Sequence, residues 1–232
     1  MRLNKYIAQT GYCSLRIAES LIKSGKVLVN GIVCNQNIEV KEKLKIQIEG
    51  FTIHEGTLSV KKKYIVMNKP QGLVCTEDKN EKDNIVDFLN FKERIFTVGR
   101  LDKDSEGLIL LTNDGEVANK IIHGENEHEK EYLVTLNKPL TNNFKIAQLQ
   151  AGVKILDTIT KPCVIIPVTD TTFRFILTQG LNRQIRRMAE AIGYEVVQLQ
   201  RIRVMNIELG DLKPGEWREL SPSEKQALMD LL

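Results

Sequence analysis

Residues 97–115 read Thr-Val-Gly-Arg-Leu-Asp-Lys-Asp-Ser-Glu-Gly-Leu-Ile-Leu-Leu-Thr-Asn-Asp-Gly. A β-type run over 95–98 enters a polar loop, 99–107, and a second apolar run, Leu108–Leu111, leaves it for an Asn-Asp-Gly turn at 113–115. A helix over about Glu116–Ile122 is expected next. Asp102, with Arg100 two residues before it, therefore sits between two strands expected to be core. Loops held by rigid strands are where reacting groups tend to be placed. The pattern Asp102-x-Asp104-x-Glu106-Gly107 imitates the start of a calcium loop. That loop needs a bidentate Glu at its twelfth position, which here is Asn113, and an apolar run occupies the place of its ligands. Calcium is excluded. Spacing alone leaves two readings open, a solvated surface loop and a single carboxylate used as a nucleophile.

Outward from this segment, Tyr64-Ile65-Val66-Met67 reads as a buried strand stopped by a turn at Asn68-Lys69-Pro70-Gln71-Gly72. The whole chain has 232 residues, 42% apolar and 27% charged, which fits a soluble globular protein and excludes a disordered or fibrous one. Its apolar runs are far short of the ~20 residues that cross a bilayer. The first residues, MRLNKYIAQ, lack the apolar core of an export signal. Cys13, Cys34, Cys75 and Cys163 lie far apart with no CxxC pair, against a zinc site or disulfide scaffold. A reduced, cytoplasmic protein without metal is expected.

The net charge of +3 is unevenly spread. Residues 1–63 carry 11 Lys/Arg against 5 Asp/Glu, residues 174–203 carry 6 against 2, and the remainder is acidic. Two basic regions in an otherwise acidic chain suggest a polyanion held at two places.

In the first basic region Leu3, Ile7 and Ala8 have helical spacing and Gly11 stops the helix. Ser14 is a natural N-cap for a second helix with Leu15, Ala18, Leu21 and Ile22 on one stripe, ended by Gly25. Two short β runs around Asn30-Gly31 make a hairpin, and strand-like pieces follow at Leu44–Ile48 and near Phe51–Ile53. Arg2, Lys5, Arg16 and Lys23 occupy polar positions of the helices and Lys26 begins the hairpin, a basic face suited to a phosphate backbone.

Over residues 2 to about 55, RLNKYIAQTGYCSLRIAESLIKSG and the following KVLVNG resemble the small S-four-like RNA-binding domain of a ribosomal protein. GRLDKDSEGLILLTND resembles the signature of the pseudouridine synthases. NKPQGLVCT, EKEYLV at 129–134 and QGLNRQIRRMAEAIGYEVVQLQRIRVMNIEL at 179–209 match the same branch in order. The chain is thus similar to the RsuA/RluB/RluE/RluF-type ribosomal RNA pseudouridine synthases, nearest their large-subunit (23S) members. The resemblance implies an α+β protein: an RNA-binding domain over 1–58, a linker over 59–63, and a catalytic domain over 64–232 on a mixed, largely antiparallel sheet. It implies a monomer that isomerises uridine in large-subunit ribosomal RNA, with small-subunit or transfer RNA as the alternative target. A catalytically idle RNA-binding or assembly factor and a glycosidase releasing free uracil are the competing classes.

Pseudouridine is an isomer of uridine, so no redox cofactor or nucleotide is required, and none is expected. By resemblance Asp102 is the nucleophile and Tyr132, in Lys130-Glu131-Tyr132, the active-site tyrosine, whose ring can stack on uracil. Taken alone, that Tyr reads as strand core. Burial disfavours a charged carboxylate and a neighbouring guanidinium restores it, a part the resemblance gives to Arg186. The helix carrying Arg186 has Asn182 as its expected cap, an apolar stripe of Ile185, Met188, Ala189 and Ile192, and Gly193 as its end. Arg183, Arg186 and Arg187 lie near its start, fit for phosphate or carboxylate. The resemblance also implies that Arg100 helps hold the base or phosphate once the uridine is flipped out of its stack. His123 and His128 are expected to be structural or RNA-facing, and Trp217 to be a packing residue.

Overall fold

The computed structural model of the chain describes residues 1–40, 44–56, 61–122 and 127–232. It divides into two compact units, Met1–Lys62 with Lys92–Arg94, and Lys63–Phe91 with Ile95–Leu232. Residues 57–60, in and just before the expected linker, and His123 lie outside the described residues.

The first unit contains α1 (Leu3–Gln9), α2 (Leu15–Lys23), β1 (Val27–Val29), β2 (Ile32–Cys34), β3 (Leu44–Ile48) and β4 (Phe51–Gly56). Ser14 caps α2, its hydroxyl accepting from the Ile17 amide at 3.3 Å. Asn30 and Gly31 both take positive φ, 51° and 83°, the backbone of a two-residue hairpin turn whose twist matches the flanking strands. The sheet runs β2-β1-β3-β4, and Leu3, Ile7, Ala18 and Ile22 of the helices share a core with Val27, Ile46 and Ile48 of its strands. Each of the Leu, Ile and Val side chains among them contributes about 1.5–3 kcal/mol through burial. Leu15 departs from the expected stripe: at the first position of α2 it remains 46% exposed.

The second unit runs β5 (Tyr64–Lys69), α3 (Ile85–Leu89), β6 (Phe96–Val98), β7 (Glu106–Thr112), α4 (Gly115–Ile122), β8 (Lys130–Leu136), α5 (Asn143–Ala151), β9 (Lys154–Ile155), β10 (Thr158–Ile159), β11 (Val164–Pro167), β12 (Thr172–Leu177), α6 (Gln184–Ala191), β13 (Val196–Val204), β14 (Ile207–Glu208), β15 (Trp217–Glu219) and α7 (Pro222–Asp230). Its nine-stranded sheet has the path β11-β12-β8-β13-β7-β5-β15, with β14 on β13 and β6 on β7. The β7–β13 pairing is parallel and the others are antiparallel, so the sheet is mixed and the architecture α+β.

The unbroken apolar run of β7 is explained by burial on both faces. Ile109 and Leu111 pack with Ile85 and Leu89 of α3, while Leu108 and Leu110 pack with Val117, Ala118 and Ile121 of α4 and Leu228 of α7. On the other half of the sheet Val134, Phe173 and Phe175 meet Leu149 of α5 and Ile185 and Met188 of α6. Trp217 packs edge-on against Phe91 at 5.5 Å between ring centres.

Two turn and linker assignments move. Asn68 and Lys69, expected in a turn, belong to β5 and are buried, and the turn begins at Pro70. Lys63, placed in the linker, has its amide bonded to Asn113 Oδ1 at 2.8 Å and its carbonyl to the Thr112 hydroxyl at 2.5 Å. It is therefore part of the second unit. No helix among the described residues is long and apolar enough to cross a membrane.

Candidate active site

β7 pairs with β5 along one edge. Its other edge is shared, with β6 opposite residues 110–112 and β13 opposite residues 106–107. The loop 99–105 joins β6 to β7 where β6 and β13 part, which puts Asp102 at a gap in the sheet rather than on a flat face.

That loop is pinned from beneath. Lys69 is fully buried, and its ammonium donates to the carbonyls of Pro70 at 3.1 Å, Asp102 at 3.1 Å and Ser105 at 2.7 Å. Its three protons match three acceptors. Burial lowers the Lys69 pKa, while Cys75, Asp102 and Asp104 oppose the shift. The Gly72 amide donates to the Lys103 carbonyl at 2.8 Å, and the Ser105 amide to the Asp102 carbonyl at 3.1 Å. From β13, Arg201 is buried and donates to the Leu108 carbonyl at 2.7 Å and the Arg100 carbonyl at 3.5 Å.

Asp102 lines a cavity of about 580 Å³ with Arg100, Lys130, Tyr132, Arg183 and Arg201, a volume suited to a small ligand or a single nucleotide. Its side chain is 35% exposed, so the carboxylate opens on the cavity rather than on bulk solvent alone. Tyr132, in the middle of β8, stands beside Phe175 of β12 and Arg201 of β13 in register, half-buried at the cavity wall.

The arginines are distributed differently from expectation. Arg186 does not pair with Asp102. Its guanidinium donates to the Val196 carbonyl at 2.9 Å and the Asp104 carbonyl at 3.1 Å, with its Nε 3.4 Å from Asp104 Oδ2. Arg183 Nη1 stands 4.0 Å from Asp102 Oδ2 and bonds both Asp104 oxygens at 3.1 Å. Two carboxylates two residues apart can each meet the start of α6, and the fold aims Arg186, 9% exposed, at the outer one. Arg186 and Arg187 lie outside the cavity wall. Arg187 donates to the carbonyl and Oδ1 of Asn182 at 3.1 and 3.3 Å. Asn182 is thereby drawn away from the capping role, and Arg183, in the left-handed region at φ 52°, is the N-cap residue, without a side-chain cap.

Among the polar groups on the cavity wall that the sequence does not mark as site residues are Ser105, Lys130 and Arg201. Ser105 is buried and its hydroxyl has no partner among the described residues. Lys130 had a signal, since it precedes Tyr132 by two residues and so shares its strand face. Outside the wall, burial lowers the His128 pKa.

In the first unit Arg2, Lys5, Arg16, Lys23 and Lys26 are all exposed. Arg2 donates to the Asn37 carbonyl at 3.0 Å, Lys23 pairs with Glu19 at 2.9 Å, and Lys26 pairs with Glu49 at 2.6 Å. A polyanion gripping these groups would compete with those contacts.

The family model described as RNA pseudouridylate synthase matches residues 63–191, and that of the S4 domain matches residues 1–46. Over 232 residues the chain is 47% identical to the dual-specificity RNA pseudouridine synthase RluF of Escherichia coli (strain K12), covering all of this chain and 79% of that protein. It is 36% identical to the ribosomal large subunit pseudouridine synthase B of Bacillus subtilis (strain 168), over 99% of this chain and 96% of that protein. A crystal structure of a pseudouridylate synthase matches with a TM-score of 0.70 at 30% identity, covering 98% of this chain and 99% of the other. With two family models in the expected order and full-length similarity to named synthases, the chain belongs to the RNA pseudouridine synthase family and carries its S4 domain at the N-terminal end.

Proposed function

We propose that the protein converts uridine to pseudouridine in large-subunit ribosomal RNA, with Asp102 as nucleophile and the target base flipped out of its helix. The observation that carries this reading is the seat of Asp102, on the wall of a 580 Å³ cavity that also presents Tyr132 and Arg183. A stacked uridine cannot bring its glycosidic bond to a cavity wall, so extrusion is required by access. The N1–C1′ bond then breaks, the ring turns, and a C5–C1′ bond forms. The proton lost from C5 is matched by one gained at N1, so nothing is consumed.

Tyr132 supplies a ring against which uracil stacks. Arg183 Nη1, 4.0 Å from Asp102 Oδ2, sets a cation beside the attacking group. Arg186 acts one step back, holding the Asp104 carbonyl and so the loop. Arg100 holds the flipped nucleotide, and Arg187 faces RNA beside the cavity mouth. The S4 unit grips structured RNA through Arg2, Lys5, Arg16, Lys23 and Lys26, working in the cytoplasm. The name of the Escherichia coli relative, a dual-specificity synthase, favours a second RNA target for this chain as well.

Carbodiimide mapping of pseudouridines in total RNA from cells with and without the gene tests the reading. Loss of at least one site in large-subunit RNA, restored by the wild-type gene and not by Asp102→Asn, is expected. An unchanged map would leave an idle RNA-binding protein. Free uracil released from the RNA would leave a glycosidase.

A further inference from the structure

Lys130 opens β8 and lines the same cavity as Asp102 and Tyr132. Its neighbours in register are Leu177 of β12 and Val204 of β13, both apolar. Its ammonium makes no hydrogen bond or ion pair with any described residue. Two other cations of the wall are engaged, Arg183 by the Asp104 carboxylate and Arg201 by the carbonyls of Leu108 and Arg100. A lysine that gives up hydration on a cavity wall and gains no partner costs free energy, which a bound anion would offset. The unpartnered, buried Ser105 hydroxyl on the same wall points the same way, to polar groups held ready for a ligand.

We propose that Lys130 is a catalytic residue whose ammonium holds the uracil ring while it is detached and negatively charged. The inference rests on the uridine-isomerising role of this cavity. When the N1–C1′ bond breaks, its electron pair leaves with the base, whether Asp102 adds to the sugar or promotes loss of a sugar proton. Uracil is then a monoanion with charge shared between N1 and its two carbonyl oxygens. It stays so until C5 bonds to C1′, with the Asp102 carboxylate released or the sugar proton returned; the C5 proton then departs and N1 is protonated. The ring is neutral in the substrate, so an ammonium beside a carbonyl oxygen stabilises the detached state more than the bound uridine. Such differential binding accelerates the reaction.

The charged and titratable groups around Lys130 are Arg201 from β13, His128 two residues before it, Tyr132 on its own strand, and Asp102, Arg100 and Arg183 on the cavity wall. Desolvation first, and the Arg201 charge second, lower the Lys130 pKa. The ammonium form should therefore be lost at a lower pH than in an ordinary lysine.

The test uses the full chain and large-subunit ribosomal RNA from cells lacking the gene, grown on uridine tritiated at carbon five. Tritium release under single-turnover conditions reports loss of the C5 proton. Lys130→Met is expected to slow release by roughly 100-fold or more while RNA affinity stays within about threefold. The wild-type rate should fall on the alkaline side, and Lys130→Arg should move that fall upward, because a guanidinium keeps its charge. If Lys130→Met does not fold, the comparison of wild type with Lys130→Arg decides alone. A Lys130→Met rate within about threefold of wild type, or an alkaline fall unmoved in Lys130→Arg, overturns the inference. Asp102→Asn separates the two levels: with it inactive, those results sink only the Lys130 assignment, whereas an active Asp102→Asn sinks the reading of the cavity itself.

Discussion

The ammonium of Lys69, with no exposure to solvent, donates to the main-chain oxygen of Asp102 at 3.1 Å. The position of Asp102 is thus set by a charge buried beneath its backbone. Lys69→Met would leave the carbonyls of Pro70, Asp102 and Ser105 without this donor, at a cost of about 2–4 kcal/mol after relief of the buried charge. The expected outcome is a lowered unfolding midpoint in urea together with a turnover defect larger than any RNA-binding defect. A variant of unchanged stability would show that the loop holds itself.

Gly107 has φ +104°, and a β-carbon there would stand 2.3 Å from the Arg201 carbonyl oxygen and 2.6 Å from its amide nitrogen. Both contacts are main chain, so no rotamer relieves them. Gly107→Ala should cost at least about 3 kcal/mol, or prevent folding, because it opens the β7–β13 pairing that seats the loop. Thermal unfolding of the purified variant, or its recovery in the soluble fraction, checks this.

The S4 unit should act through charge. Replacing Arg2, Lys5 and Arg16 together with Ala is expected to weaken RNA binding and to flatten the slope of log affinity against log salt by about two to three units. Titrations at several salt concentrations measure it. An unchanged slope would place the RNA on another face.

Glu224 closes a capping box on α7 with Ser221 and accepts two hydrogen bonds from Arg218, each of 2.8 Å. The Arg218 guanidinium is the main reason its pKa is lowered from 4.5 to about 2. A carboxylate depressed in the folded state contributes stability that is present above about pH 4.5 and lost as pH falls toward 2. After solvent screening that contribution is about 1–2 kcal/mol. Glu224→Gln should therefore lose stability near pH 7 and differ little from wild type near pH 2, as read by urea denaturation at the two pH values.

Features with local causes were legible in the sequence. The Ser14 cap and the Asn30-Gly31 turn depend on neighbours within a few residues, and the strand Leu108–Leu111 announces itself as four consecutive apolar residues. Long-range placements were not. Nothing in the order of residues says that β13 joins β7 in parallel, or that Arg186 meets Asp104 rather than Asp102. Lys69 misled for a related reason. A lysine before Pro-Gln-Gly has the composition of a turn, and only the three carbonyls brought together by folding make its burial tolerable. Tyr132 was assigned through family resemblance, since an aromatic within a β run is ordinarily core.

The most direct measurement is conversion of large-subunit ribosomal RNA by purified Asp102→Asn protein, with pseudouridine quantified after digestion to nucleosides. The amide preserves shape and removes the attacking charge, so bound RNA with no pseudouridine is the expected result. Formation of pseudouridine at a rate near wild type would contradict the assignment of Asp102 as nucleophile.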